Sequence, residues 1–217
     1  MSTAAAETTR RPDTSFLRAR LGSLLAVMPL GVWTFAHLWH NLAAFRGAAA
    51  WQSEVTEYSH PIAFFASSVI ALLPIVLHTI WGITRILSVK PNNAQYSFYG
   101  NLKFALQRLS ALGILGFLGA HVWKAMLEPR MMHGRPEPFA DIAREMHHHG
   151  PTLVVYVLRV LGVSYHLANG LQTFAMGWGV VSSRRALKKL EGLVLLVFVV
   201  LLAMGWGSIY ALWSAGA

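Results

Sequence analysis

The chain has no cysteine and unusually little charge. Without cysteine among its 217 residues, it cannot form disulfides, ligate an iron–sulfur cluster through thiolates, or attach a haem covalently through C-x-x-C-H. Charged residues make up 12% of the sequence, roughly half the share found in a typical soluble domain. Hydrophobic residues make up 55% instead. This composition excludes a disulfide-stapled secreted domain and indicates a membrane protein.

The apolar residues are clustered in five runs, each long enough to cross the hydrocarbon core at about 20 residues per span. Lipid offers no hydrogen bonds to the backbone, so these spans must be helices. We therefore predict an all-α integral membrane bundle of five transmembrane helices over residues 21–217, preceded by a tail at residues 1–20. The runs, which we number from the first span to the fifth, are Leu21–Phe45, Pro61–Val89, Leu102–Leu127, Pro151–Val181 and Gly192–Trp213.

The net charge of +9 could suggest nucleic acid as a partner, but the positions of the basic residues fit a membrane topology better. Basic residues concentrate in the tail, in the link between the second and third spans, and in the link between the fourth and fifth. The positive-inside rule then places the N-terminus in the cytoplasm and the C-terminus outside. These inner residues are Arg10, Arg11, Arg18, Arg20, Arg85, Lys90, Lys103, Arg108, Arg184, Arg185, Lys188 and Lys189.

Four histidines lie inside the apolar runs, one in each of the first four spans: His37, His78, His121 and His166. An ionisable side chain at membrane depth is costly and marks a candidate functional site. Two facing imidazoles are what a six-coordinate haem iron requires, and such a haem carries electrons. The four histidines therefore predict two non-covalently bound haem groups.

The topology pairs these histidines by depth. His37 and His121 lie near the outer ends of their spans, whereas His78 and His166 lie seventeen and fifteen residues after the outer ends of theirs. At 1.5 Å per residue these distances are about 25 Å and 22 Å. We therefore expect an outer pair, His37 with His121, and an inner pair, His78 with His166. The residues alone leave His40 open as an alternative to His37, because positions i and i+3 share a helix face.

Haem propionates need cationic or hydroxyl partners near the bundle ends. Arg85, Arg108 and Ser23 are the candidates for the inner haem, although both arginines could equally be positive-inside anchors. Arg159 lies two turns before His166 and is expected to face the bundle interior. It could pair with an outer-haem propionate or an anionic form of a quinone, or it could snorkel to the outer interface.

A quinone site needs an apolar slot and a group that exchanges protons with the quinone oxygens. Glu54, Glu57 and His60, in the link beside the second span, are the candidates, and they could equally be ordinary surface residues. The remaining link histidines, His133 and the run 147–149, are expected to be solvated.

Several stretches carry a family resemblance over residues 18–213. The chain resembles the cytochrome b membrane-anchor subunit of succinate:quinone oxidoreductases, that is, of succinate dehydrogenase and fumarate reductase, in its five-helix dihaem type. The stretches are A-H-L-W-H-N (36–41), L-H-T-I-W-G-I (77–83), N-N-A-Q-Y-S (92–97), L-Q-R-L-S (106–110), A-H-V-W-K (120–124) and Y-H-L-A-N-G-L-Q-T-F (165–174).

This resemblance implies that His37, His78, His121 and His166 are the axial ligands of two haem b groups. The family pattern H-L-x-x-N matches His37 with Asn41, which favours His37 over His40. Some fumarate reductases of this type carry a glutamate two residues before the fourth ligand. The chain has Ser164 there, so that proton route is not transferred.

The resemblance also implies partners and a place in metabolism. A flavoprotein subunit that oxidises succinate to fumarate and an iron–sulfur subunit would bind on the cytoplasmic face of a bacterial inner membrane. Electrons would pass from the iron–sulfur subunit through two haem b groups to a quinone, usually menaquinone, or in reverse during fumarate reduction. The chain would thus be the electron-transferring subunit of a tricarboxylic acid cycle enzyme, without the dicarboxylate site itself.

Two other functions are weighed against this one. The cytochrome b subunit of a hydrogenase or formate dehydrogenase usually has four spans and a different arrangement of histidines. A haem-free transporter or scaffold would use the histidines as a proton relay. The physiological direction of electron flow is left open by the sequence.

Overall fold

A computed structural model describes residues 15–57, 60–88 and 98–217, with side chains described from residue 20 onward. Most of the N-terminal tail, the side chain of Arg18, and the link that contains Lys90 and the 92–97 motif lie outside these residues. The first helix begins at Ser15, so the end of the segment predicted as a tail is helical.

The described residues are almost entirely helical and contain no strand. Five helical stretches among them are long and apolar enough to cross a membrane, which confirms the predicted fold class. They are Arg20–Arg46, Pro61–Ser88, Tyr99–His133, Gly150–Gly177 and Arg184–Ala215. The α-helices are α1 (Ser15–Leu25), α2 (Val32–Asn41), α3 (Ala48–Trp51), α4 (Pro61–Ser88), α5 (Tyr99–Val122), α6 (Glu128–His133), α7 (Phe139–His148), α8 (Gly150–Gly177) and α9 (Arg184–Ala215).

The two prolines inside spans have different consequences. Pro29 lies in a π-helical segment, Ala26–Gly31, which joins α1 to α2. Proline cannot donate the usual i→i−4 hydrogen bond, and a locally widened turn accommodates that loss. Pro74 lies within α4, which continues as one helix from Pro61 to Ser88.

Local side-chain chemistry fixes the ends of several helices. The backbone N–H of Ile62 donates to His60 Nδ1 at 3.2 Å, so His60 satisfies one free donor at the start of α4. Ser183 acts as the N-cap of α9, because its hydroxyl accepts from the backbone N–H of Ala186 at 3.2 Å. Gly179, with φ of 71°, makes the turn that separates α8 from α9.

The fourth span is central to the bundle. Helix α8 packs against α5 on one side and α9 on the other, and it also contacts the first span. Helix α4 packs against the first span. Gly205 lets α9 approach α8 closely, because a Cβ at this position would overlap the side chain of Val160.

The most densely packed core lies at one end of the bundle, which we call the outer end after the predicted topology. The long outer link forms the amphipathic helix α7, which packs against the C-terminal part of α9. This arrangement closes the outer end, whereas the middle of the bundle surrounds a cavity. The buried core residues of this outer cap are Ala43, Ala44, Trp51, Phe139, Ala143, Met146, Ala211 and Leu212.

Candidate functional site

The interior of the bundle contains a cavity of about 1080 Å³. All five spans and the outer links contribute to its wall. Ser23 and Arg85 lie toward its inner end, and Arg130 and Glu137 lie toward its outer end. The four histidines inside the spans all line it.

The four histidines form two facing pairs within this cavity. The ring centres of His37 and His121 are 6.0 Å apart and the planes are inclined by 76°. The ring centres of His78 and His166 are 6.2 Å apart, with an interplanar angle of 74°. Each pair joins two spans, the first with the third and the second with the fourth. These are the two pairs that the topology brings together.

The spacing of both pairs fits one metal ion between two rings. A metal ion lies about 2 Å from an imidazole nitrogen and that nitrogen about 1 Å from its ring centre, so two opposed ligands place their ring centres roughly 6 Å apart. No group of three or more His, Cys, Asp or Glu side chains that could hold a bare metal ion occurs within the described ranges. A haem iron needs only two protein ligands, because the porphyrin supplies the other four. The donor set therefore fits haem.

Hydrogen bonds orient two of the rings through Nδ1. His78 Nδ1 donates to the carbonyl of Gly22 at 3.2 Å. His166 Nδ1 lies 3.3 Å from the carbonyl of Gln107 and 3.3 Å from the hydroxyl of Ser110. A carbonyl acceptor fixes the proton on Nδ1 and leaves the Nε2 lone pair free for a metal, which is the usual pattern for ligating histidines.

The outer pair is held mainly by aromatic neighbours. Trp33 stacks on His37 at 4.8 Å with an interplanar angle of 8°. Phe117 stacks on His121 at 5.2 Å with an angle of 20°, and His121 Nδ1 lies 3.1 Å from the hydroxyl of Tyr156. Sequence reasoning missed Tyr156, and nothing in its local sequence marks it.

His40, the alternative to His37, has different surroundings. Its side chain is 51% exposed and its Nδ1 lies 3.5 Å from the carboxylate of Glu54. His40 is not among the residues that line the cavity, whereas His37 is. The backbone carbonyl of His37 also accepts from Asn41 Nδ2 at 2.8 Å, so the family asparagine stabilises the helix at this ring.

Hydrogen bonds between polar side chains of α5 and α8 surround His166 of the inner pair. Gln107 Nε2 donates to the His166 carbonyl at 3.1 Å, and Asn169 Nδ2 donates to Gln107 Oε1 at 2.9 Å. Lys103 Nζ donates to Gln172 Oε1 at 3.1 Å. Sequence reasoning assigned no role to Gln107, Asn169 or Gln172, although the first lies in the 106–110 motif and the others in the 165–174 motif.

The four propionate candidates all line the cavity. Ser23 donates to the Arg20 carbonyl at 2.7 Å. Arg85 is exposed, and its carbonyl accepts from the Arg108 guanidinium at 3.1 Å. Arg159 has a buried Nε that makes no hydrogen bond within the described structure.

Arg159 fits against a glycine of the third span. A Cβ on Gly113 would overlap the Arg159 guanidinium, whereas Gly116 and Gly119 face open space. Of these three glycines, Gly113 is therefore the one that makes room for a charged side chain.

The three quinone-site candidates lie away from the cavity wall. Glu54 is bound by the Arg46 guanidinium, whose hydrogen bond holds the pKa of the Glu54 carboxyl below its ordinary value. Glu57 is exposed, and His60 is exposed at the start of α4. None of the three is among the cavity-lining residues of the described ranges. The structure brings Glu137 of the long outer link to the wall instead, a residue to which sequence reasoning assigned no role.

Comparison with known proteins agrees with this architecture. Residues 88–205 match the family described as succinate dehydrogenase/fumarate reductase transmembrane subunit. The chain is 32% identical over 197 residues to the succinate dehydrogenase cytochrome b558 subunit of Bacillus subtilis (strain 168), covering 90% of this chain and 96% of that protein. No solved structure matches the chain significantly. With a helical bundle of five spans and a match over most of its length, the chain belongs to the family of succinate dehydrogenase/fumarate reductase transmembrane subunits.

Proposed function

We propose that this chain is the cytochrome b anchor of a succinate dehydrogenase and conducts electrons between an iron–sulfur subunit and a quinone. The relative in Bacillus subtilis is a cytochrome b558 subunit of that enzyme. One observation carries the proposal: two pairs of histidines face each other in one cavity between the spans. Their ring centres are 6.0 Å apart in one pair and 6.2 Å apart in the other.

In this proposal the chain binds two haem b groups. His37 and His121 hold the outer one, and His78 and His166 hold the inner one. Bound haem b supplies reversible one-electron transfer, and two such groups at different depths connect the two sides of the membrane. The Nδ1 hydrogen bonds to Gly22 and Gln107 keep Nε2 of the inner pair unprotonated and aimed at the cavity.

Four polar side chains that line the cavity bind the haem propionates in this proposal. Arg159 supplies a cation within the bundle, where an unpaired arginine is costly and an anionic group offsets that cost. Ser23, Arg85 and Arg108 serve the same purpose toward the inner end. The apolar wall between the pairs excludes water from the electron path.

The proposal includes an orientation and partners. The basic inner links face the cytoplasm, where the flavoprotein and iron–sulfur subunits bind, and the outer cap faces the outside of the bacterial membrane. Menaquinone is the quinone we expect, by resemblance to the dihaem type of anchor. Succinate oxidation is the direction suggested by the name of the relative.

A reduced-minus-oxidised absorption spectrum of the purified complex tests the function. We expect two haem b per chain, both reduced by succinate, together with co-purifying flavoprotein and iron–sulfur subunits. A spectrum without haem would leave transport or scaffolding as the function. Two haem groups reduced by hydrogen or formate, but not by succinate, would assign the chain to another dehydrogenase.

A further inference from the structure

We propose that the Glu137 carboxyl exchanges protons with the quinone at the outer end of the cavity. The inference rests on the proposed function, because it assumes that a quinone reacts with this chain. It names a different residue from the link acids beside the second span.

Glu137 differs from the other acids of the outer links in its position. Glu137 is the one acid of the described outer links that lines the cavity, and it is half-buried there. The other outer acids with described partners are engaged at the surface. Glu54 pairs with Arg46, Glu128 with Lys124 at 3.0 Å, Asp141 with Arg135 at 3.7 Å and Arg144 at 3.6 Å, and Glu145 accepts from Thr152 at 2.8 Å.

The backbone on both sides of Glu137 is held by one side chain. Gln52 Nε2 donates to the Glu137 carbonyl at 3.0 Å, and Gln52 Oε1 accepts from the Phe139 backbone N–H at 3.0 Å. These two bonds join the first outer link to the second across Pro138. They fix the position of Glu137 at the cavity wall without occupying its carboxyl group.

Apolar side chains also line the cavity wall in the outer part of the bundle. Phe64, Met126 and Ile142 line it, and the Arg130 guanidinium lies over the Phe64 ring at 4.4 Å. Arg130 donates to the Thr56 carbonyl at 2.7 Å, so it also ties the end of the third span to the first outer link. Small-molecule sites are commonly apolar with a few placed polar groups, as here.

The charges around Glu137 favour a carboxyl group that can hold a proton. Burial raises the pKa of Glu137 and the negative charge of Asp141 raises it further, while Arg135 opposes both. A raised pKa brings a carboxyl group closer to the working pH, which suits proton exchange. The groups that face Glu137 are Asp141 on α7, Arg135 in its own link, Glu128 and Lys124 at the end of the third span, and Tyr156 on α8.

Reduction of a quinone takes two electrons and two protons, and converts both C=O groups to C–OH. The electrons come from succinate, through the partner subunits and this chain. The Glu137 carboxyl gives a proton to a quinone oxygen, becomes a carboxylate, and regains a proton from water at the outer surface. The second proton follows by the same exchange.

Glu137→Gln tests the inference in the intact complex, with Glu128→Gln as the matched control. Both variants remove one outer carboxylate, but only Glu137 lines the cavity. Three quantities are measured: haem content with its reduction by succinate, succinate oxidation with a soluble dye, and reduction of a water-soluble menaquinone analogue as a function of pH.

For Glu137→Gln we expect quinone reduction to fall by roughly 10²-fold, the usual size of a general acid–base contribution. Haem reduction and dye activity should stay at the wild-type level in both variants. Glu128→Gln should keep a quinone rate close to that of wild type, with the ionisation of Glu137 shifted to lower pH, because the negative charge of Glu128 raises the pKa of Glu137. In Glu137→Gln the ionisation assigned to Glu137 should disappear from the pH profile of quinone reduction. Equal quinone rates in the two glutamine variants would overturn the inference and leave the proposed function standing.

Glu137→Asp keeps a carboxyl group, and it tests the role of Glu137 if the glutamine variant assembles poorly. We expect this variant to retain a pH-dependent quinone rate with its ionisation shifted to lower pH, because aspartate is the stronger acid. A pH profile identical to wild type would show that the titrating group lies elsewhere. Failure of the wild-type complex to reduce the quinone with succinate would instead refute the proposed function.

Discussion

At the scale of single residues, His37 and His40 show how one helical turn separates two environments. Both lie on α2, three residues apart. His37 stacks on Trp33 and faces His121 inside the cavity. His40 lies at the surface beside Glu54. Spacing alone could not separate them, because positions i and i+3 are neighbours on a helix.

Replacing these two histidines should therefore have different effects. We expect His37→Ala to lose one of two haem groups, because no imidazole would face His121, and His40→Ala to retain both. Haem-to-protein stoichiometry of the purified complexes measures this. Loss of a haem from the His40 variant alone would contradict the ligand assignment.

Gly113 shows how an absent side chain can position a charge. A methyl group there would displace the Arg159 guanidinium, which lines the cavity. A cation near a haem favours its reduced form, which carries one positive charge fewer.

We expect Gly113→Ala to lower the midpoint potential of the outer haem by roughly tens of millivolts, because the cation moves away. Gly116→Ala is the matched control, since the same methyl group would meet open space. Redox titration followed optically gives both values. An equal shift in the two variants would mean that helix packing, and not Arg159, sets the potential.

At the scale of elements, close packing is concentrated where α8 meets α9 and where α7 covers the outer end of the bundle. The inner faces of the five spans enclose the cavity instead. Gly205 on α9 lies against Val160, and Gly192 on the same helix has no neighbour there. A substitution at Gly205 therefore changes both the α8–α9 contact and the helix propensity, whereas a substitution at Gly192 changes only the helix propensity.

Gly205→Leu should destabilise the purified chain by about 1–3 kcal/mol, the usual cost of forcing extra atoms into a packed contact. Gly192→Leu should leave stability unchanged or raise it slightly, because leucine has the higher helix propensity. Thermal unfolding in detergent measures both. A lower Tm in the Gly192 variant than in the Gly205 variant would contradict this account of the α8–α9 contact.

At the scale of the whole molecule, the natural absence of cysteine gives a direct test of orientation. Ser53 and Ser182 are both exposed, the first in an outer link and the second in the link between α8 and α9. In intact cells, a membrane-impermeant maleimide should label Ser53→Cys and not Ser182→Cys. Labelling of Ser182→Cys alone would contradict the proposed topology and indicate the opposite orientation.

The sequence by itself determined the number of spans, their order and which of the four membrane histidines lie at the same level of the bundle. In lipid the backbone has few alternatives to a helix, so apolar runs translate directly into spans. A fixed rise per residue then converts position in a span into depth. This is why the facing pairs could be expected from Pro61, Pro151 and the histidines alone.

Only the tertiary structure decided which polar groups reach the cavity. Glu137 and Glu54 are both acids of outer links, yet one lines the cavity and the other is held at the surface by Arg46. Tyr156 meets His121 only because α8 packs against α5. Link conformation and helix rotation depend on contacts between segments far apart in the chain, such as Gln52 with Glu137. Hydropathy and spacing carry no information about such contacts, so they emerge only once the helices have packed.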